Sequence, residues 1–354
     1  MLRRTLLSAT AAIFSVALTV GLSAPAQARV VVPRAGYGFT EGAAMLDLPQ
    51  SALDRELDAV SHTSASWLRV LVDWSRTETA PGNFDWSAAD RVVNSAHRHG
   101  LRILLNVAFT PAWAGGGSGL ASTTAPRNAA DFGNFAGAVA RRYQGLASSY
   151  EIWNEPNLPT FLNAPNRPAA YAALLRAAYP AIKRVQPDAT VVAAGLSPST
   201  GSDFPASFLE AVYGYGAKGY FDATAMHPYT FPYGLPADPS GGWHSVGAMH
   251  ATMQAHGDGS KKIWLTEFGA PTNYTELTAV SPVLGGVTPE AQAVQIGQIL
   301  AAAANTPYVG PAFIYSIRDI GGADAPSMLN REDHFGALLT NDWRPKPAAG
   351  LLAR

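Results

Sequence analysis

From residue 37 onward the chain alternates two kinds of hydrophobic pattern. Short runs rich in Val, Ile, Leu and aromatic residues recur at 37–42 (YGFTEG), 66–74 (SWLRVLVDW), 101–109 (LRILLNVAF), 150–155 (YEIWNE), 189–196 (ATVVAAGL), 221–229 (FDATAMHPY), 261–269 (KKIWLTEFG) and 309–317 (VGPAFIYSI). Runs of this length and composition, bounded by turn residues, predict strands. Between them apolar positions fall at helical spacing. SAADRVVNSAHRHG opens on Ser87 and stops at Gly100, and AADFGNFAGAVARRY places Phe132, Phe135 and Val139 on one face. Eight strands alternating with helices predict the α/β class and a single (β/α)8 TIM barrel.

No stretch has the length or composition of an interdomain linker, and no short repeat exists beyond the βα alternation. The Gly/Ser segment 114–126 reads as a loop after the third strand. One barrel therefore accounts for residues 29–354. Residues 1–28 carry a different pattern: a basic start, an apolar run broken by Ser and Thr, and the small-residue ending Ala26-Gln27-Ala28. That is the form of a secretory signal peptide, with cleavage expected after Ala28, export from the cell, and no stable membrane insertion afterwards. A retained anchor is the competing reading, and Arg3-Arg4 suits twin-arginine as well as general export.

Composition narrows the function. Lys and Arg number 25 against 26 Asp and Glu, which leaves no basic footprint for nucleic acid and no polybasic membrane patch. Cysteine is absent, so an exported chain would rely on its core rather than on disulfides. There is no H-E-x-x-H, no P-loop and no strand followed by G-x-G-x-x-G, and of the eight histidines only His97 and His99 lie close together. No metal and no cofactor are expected. Asn273-Tyr274-Thr275 matches a glycosylation sequon, a short pattern that arises often by chance.

Catalytic groups of such barrels sit at the C-terminal ends of the strands. Collecting the polar residues there gives Arg69, Asn106, Asn154, Glu155, His227, Tyr229 and Glu267. The fourth and seventh strands face each other across an eight-stranded barrel, so Glu155 and Glu267 should meet. A protonated carboxyl and an ionised carboxylate on either side of a sugar can cleave its acetal, with retention of configuration when they lie about 5–5.5 Å apart.

YEIWNEPN (150–157), AMHPYTFP (225–232) and WLTEFGAPT (264–272) resemble the strand-four, strand-six and strand-seven motifs of the clan A retaining glycoside hydrolases. The segment 69–93, TPAW at 110–113 and the C-terminal 331–348 extend the similarity, with glycoside hydrolase family 39 the first match and family 5 the second. The resemblance implies that Glu155 is the general acid/base and Glu267 the nucleophile. It also implies that Asn154 binds the sugar 2-hydroxyl, that Tyr229 donates to Glu267, and that His227 orients Glu155 or a sugar hydroxyl. Arg69, pointing into the same site, would hold Glu267 ionised.

Two departures matter. Many clan A enzymes end the eighth strand on a tryptophan, where this chain has FIYSIRDIGG with Tyr315, Ser316 and Arg318. The accessory β-sandwich of family 39 xylosidases also has no room here. Aromatic residues near strand ends, Trp113 and Trp243 first, then Trp74, Trp153 and Tyr233, can stack on a sugar or simply close a core. The expected partner is a poly- or oligosaccharide, and two other readings stay open: an exo-acting glycosidase of the same clan, and a barrel that binds carbohydrate without turnover.

Overall fold

The structure, a computed structural model, describes residues 30–117, 119–273, 286–321 and 328–354. The expected leader 1–28 and two of the three sequon residues lie outside the described residues. Eight parallel strands follow in order: β1 (Tyr37–Thr40), β2 (Trp67–Asp73), β3 (Arg102–Ala108), β4 (Ser149–Ile152), β5 (Thr190–Leu196), β6 (Ala223–Met226), β7 (Ile263–Phe268) and β8 (Val309–Tyr315). Each pairs with the next, and β8 returns to β1 in the register Tyr37↔Ala312 through Thr40↔Tyr315, closing the barrel. The predicted (β/α)8 barrel is the observed fold.

Helices cover the outside of the sheet, so nearly every strand residue is buried on one face or the other. This explains why the strands read as continuous apolar runs rather than as an alternation. Helix Ser87–Arg98 turns Ala89, Val92, Val93 and Ala96 inward. Helix Ala129–Arg142 buries Phe132, Phe135 and Val139, the face its periodicity predicts, and starts where the Asn128 side chain accepts from the Ala130 amide at 3.1 Å. It lies very close to helix Arg167–Val185: a Cβ on Gly133 would stand 2.8 Å from the Ala177 carbonyl oxygen. Among the described residues no helix is long and apolar enough to cross a membrane.

Inside the barrel the side chains stack in layers. Trp67, Leu104, Val192, Ala223, Ala225, Trp264 and Phe313 form an apolar plug toward the strand N-termini. Trp67 meets Trp264 and Phe313 edge to face, with Trp67 and Trp264 centroids 5.4 Å apart, Trp264 and Phe313 stack, and the Arg102 guanidinium closes the bottom over Trp67 at 4.2 Å. Because strand side chains alternate with period two, the residues two positions later along β2, β3, β6 and β7 are Arg69, Asn106, His227 and Thr266. They make the polar layer above the plug.

Two strands stop three residues before the ends of their sequence patterns. β4 stops at Ile152 because Trp153 and Glu155 take positive φ angles, +74° and +42°. β6 stops at Met226, before a tight turn in which the Tyr229 amide donates to the His227 carbonyl at 2.8 Å. Asn154, Glu155, His227 and Tyr229 thus stand just past the strand ends rather than on them.

Candidate active site

Arg69 is the centre of the polar layer. Its Nε donates to Glu151 Oε2 at 2.5 Å, Nη1 to Glu267 Oε1 at 2.8 Å and to Thr40 Oγ1 at 3.4 Å, and Nη2 to Asn154 Oδ1 at 2.9 Å. Buried among carboxylates, the guanidinium loses solvation, but Glu151 and Glu267 outweigh that loss and raise its affinity for the proton. A permanently charged fork in this position fixes four side chains at once.

Glu151 is its counter-ion. It has no solvent exposure, takes a second hydrogen bond from Asn106 Nδ2 at 3.1 Å, and takes a third from the Gly195 amide at 3.0 Å. A buried charge without such partners would be prohibitive. Sequence reasoning singled out Glu155 in this strand and assigned nothing to Glu151. The available signal was Glu151 itself: a carboxylate inside an apolar run of four residues needs a cation, and Arg69 was the cation on a nearby strand.

The two remaining carboxylates face each other above this base. One oxygen of Glu155, one of Glu267 and a ring nitrogen of His227 all lie within 4.8 Å of one another. Glu267 accepts from Arg69 on Oε1 and from the Tyr229 hydroxyl on Oε2 at 2.8 Å. Both of its oxygens are held as acceptors. Glu155 pairs with His227 Nδ1 at 2.8 Å, and His227 Nε2 reaches Thr266 Oγ1 at 3.1 Å. Burial works against a charge on His227, yet the neighbouring Glu267 and Glu155 carboxylates prevail and raise its pKa. Burial, reinforced by Glu267, pushes the Tyr229 hydroxyl well above its ordinary range, so it stays a donor.

Backbone geometry aims these groups. Three non-glycine residues at the ends of β3 and β4 have positive φ: Phe109 at +74°, Trp153 at +74° and Glu155 at +42°. For bulky side chains this is a costly region, about 1–3 kcal/mol each, and such outliers concentrate at functional sites. The Glu155 amide is tied to the Gly195 carbonyl at 3.1 Å. Gly195 itself must lack a side chain, since a Cβ there would lie 2.0 Å from His227 Nε2.

The cleft over the pair has a volume of about 680 Å³. Arg69, Asn106, Asn154, Glu155, Tyr229 and Glu267 all border it, and His227 stands beneath Glu155. Asn154 turns its carbonyl oxygen to Arg69, which can only donate, and so leaves its amide hydrogens for the cleft. Asn106 instead spends its amide on Glu151 and on the Trp153 carbonyl at 2.7 Å, so it supports the site from below. Arg69 likewise holds protein groups rather than reaching outward.

Trp113 and Trp243 do not come to the cleft. Trp113 packs at right angles on buried Trp74 and donates to the Glu78 carbonyl at 2.7 Å, bordering a separate cavity beside helix Ala129–Arg142. Trp243 sits in the first turn of helix Gly242–Ala255, its amide held by Asp238, and packs on the core. Trp74 and Trp153 are fully buried, and of the tryptophans and tyrosine named as platforms only Tyr233 borders the cleft. The rings that do line it include Phe109, Phe161, Phe231, Tyr315 and Phe335. Tyr315 occupies the end of β8, 5.1 Å from Phe335. Phenylalanines were overlooked because, unlike Trp, they carry no polar handle that suggests a binding role.

No family model and no curated protein matches the chain. Solved structures with the same fold do. The chain is similar to a family 39 glycoside hydrolase from the gut symbiont Bacteroides cellulosilyticus at 20% identity and TM-score 0.67, over 89% of this chain and 63% of that one. A glucosidase from Croceicoccus marinus is similar at 16% identity and TM-score 0.63, over 92% and 67% of the two chains. A GH5_18 protein from Streptomyces cattleya, solved in complex with GlcNAc, is similar at 19% identity and TM-score 0.61, over 91% and 79%. The chain spans less than two thirds of the first of these relatives, and at these identities the likeness is one of fold.

Proposed function

We propose that the chain is a retaining glycoside hydrolase acting on a carbohydrate outside the cell. The observation that carries this reading is the pair Glu155 and Glu267, brought from β4 and β7 to within 4.8 Å and given opposite supports. So close an approach of single oxygens suits direct displacement, for which the carboxyl groups lie roughly 5–5.5 Å apart, better than the roughly 6.5–9.5 Å that would admit a water between them. The fold shared with glycoside hydrolases supports it, and the leader-like N-terminus supports an external substrate.

Each residue then has a task. Glu267, held by Arg69 and Tyr229, attacks the anomeric carbon, while Glu155 passes its proton to the departing oxygen and is left as a carboxylate beside His227. Water attacks the glycosyl–Glu267 ester in the second step, giving up its proton to Glu155 and restoring the starting state. Asn154 offers its amide to the 2-hydroxyl, a contact that strengthens as the oxocarbenium character grows.

The test is a panel of aryl glycosides and polysaccharides, with product anomers followed by NMR. Turnover with retention is expected, and a 2-deoxy-2-fluoro glycoside of the accepted sugar should label Glu267. Glu155→Ala should lose on the order of 10²–10⁴-fold on a glycan but far less on a dinitrophenyl glycoside, with azide restoring the latter. Inversion of configuration, label on another residue, or binding of glycans without any turnover would each overturn the assignment.

A further inference from the structure

Behind the cleft wall lies a buried carboxyl pair that the reaction does not use. Glu41, just past β1, and Glu56, on helix Gln50–Ser61, are both buried and stand within hydrogen-bonding reach of each other. One cation serves both. Arg318, in the loop after β8, donates from Nε to Glu56 Oε1 at 2.6 Å, while Glu41 Oε1 accepts from the Ile317 and Arg318 amides at 3.0 and 2.9 Å. That leaves Glu41 Oε2 and Glu56 Oε2, both buried, with no donor among the described residues.

Ionised together, the two side chains would set two like charges against a single guanidinium in a dry site, and each orphaned oxygen would forfeit the hydrogen bonds that water gave it. A single proton removes both difficulties. It turns one carboxyl into a donor for the other and brings the two carboxyls and Arg318 to zero net charge. Burial first, then the neighbouring Glu56, holds the Glu41 carboxyl well above the usual carboxylate range. The guanidinium is not free to swing across in place of the proton, because it also donates to the Asp319 and Asn341 carbonyls at 3.2 and 3.3 Å and lies over the Trp343 ring at 4.5 Å. Arg55, on the helix of Glu56, is held over the same ring at 4.2 Å. Charges on the adjoining elements are committed elsewhere: Arg69 of β2 to Glu151 and Glu267, Arg98 and His99 beside helix Gln50–Ser61 to Asp54 and Asp58. The Tyr315 hydroxyl, which senses Glu41, is pushed up by its own burial and stays neutral.

The pair joins parts of the chain that wall the cleft. Gly42 and Ala43, next to Glu41, border it, and so does Tyr315, two positions before Ile317. On the other side of Glu41, Thr40 accepts from Arg69 at 3.4 Å. We propose that Glu41 and Glu56 share one proton and with it clamp the ends of β1 and β8 together, so that this wall is fixed at neutral pH and loosens in alkali, when the proton passes to hydroxide and the like charges part. No turnover is needed to test this, so it stands apart from the glycosidase reading.

Infrared spectra and amide hydrogen exchange read by mass spectrometry are compared for wild type, Glu41→Gln and Glu56→Gln. Either glutamine keeps an oxygen for the original donors and offers an N–H where the proton stood, so the clamp should close with nothing left to titrate. At pH 7 wild type should show a protonated-carboxyl C=O band that is missing from both variants. In wild type that band and the protection of the Ile317 and Arg318 amides should be lost over one and the same alkaline interval, protection falling on the order of 10-fold or more by pH 10, while in the variants it holds. Wild type without the band at pH 7, or a band unchanged in both variants, overturns the shared proton. A band that persists at pH 10 overturns its release. Protection that stays level in wild type while the band titrates, or that falls equally in the variants, overturns the clamp.

Discussion

Two positions separate Trp67 from Arg69, Leu104 from Asn106, Ala225 from His227 and Trp264 from Thr266, and in each case the step crosses from a dry layer of the barrel to a charged one. The lower layer is closed by rings and small apolar side chains and carries no burden but packing. The upper layer buries Arg69 and Glu151 almost completely, half-buries Glu267, and adds three backbone residues at positive φ. The same strands, with the same period, thus serve opposite ends. Apolar packing holds the sheet closed, and the stability so gained offsets a polar, strained rim that the chemistry needs.

Four substitutions would sharpen or break this contrast. The largest effect belongs to Glu267→Ala, for which turnover should fall by roughly 10⁴–10⁶-fold, the loss typical of a nucleophile. Its melting temperature should not fall, since Arg69 keeps Glu151 as a partner and no buried charge is stranded. A melting temperature lowered as far as in a core variant would mean that Glu267 serves the fold.

Arg69→Met does strand charge. Without the guanidinium, Glu151 lies buried and unpaired, and a loss of about 3–5 kcal/mol is expected. Unpaired buried carboxyls have folded pKa values above their unfolded value near 4.3. Their protonated forms fit the fold, so the deficit should be smallest at acid pH and grow as pH rises. Urea unfolding at pH 5 and pH 8 measures it, and a deficit independent of pH would show that the upper layer behaves like the lower.

Trp67→Ala should match that loss in size, about 3–5 kcal/mol, but not in character. It removes packing and no charge, so the deficit should be equal at the two pH values, and activity per folded molecule should persist. Smallest is the effect of His227. Because its pKa is raised in the fold by Glu267 and Glu155 against the cost of burial, its contribution to stability is complete below the unfolded value near 6.5 and is lost as pH rises through the higher folded value. Wild type should therefore weaken across that alkaline window, and His227→Asn should lose that part of the slope. A slope unchanged in the variant would place the proton elsewhere.

Much of this was legible without coordinates. Seven of the eight strands lie inside their apolar runs, β4 starting one residue ahead of its own, and helices Ser87–Arg98 and Ala129–Arg142 present the faces their periodicity predicts. Both are local properties: side-chain spacing along one element fixes which face is buried, whatever it packs against. Barrel closure follows from eight repeats of one unit. Closure in turn makes β4 and β7 opposite, which is why Glu155 and Glu267 could be paired from the sequence alone.

What lay out of reach depended on contacts between distant segments. Trp113 and Glu151 show the two directions of error. A tryptophan two residues past Pro111 has the profile of a sugar platform, yet Trp74, 39 positions away in the chain, captures its ring, and the Glu78 carbonyl its indole nitrogen. A glutamate inside a strand has the profile of a misfit, yet Arg69, Asn106 and Gly195 satisfy it. The sequence by itself determined the period, the closure and the pair of acids, because these follow from spacing along single strands. Only the tertiary structure decided which polar groups point into the cleft and which are consumed beneath it, because a side chain's hydrogen bonds are set by neighbours that spacing along its own strand does not reveal.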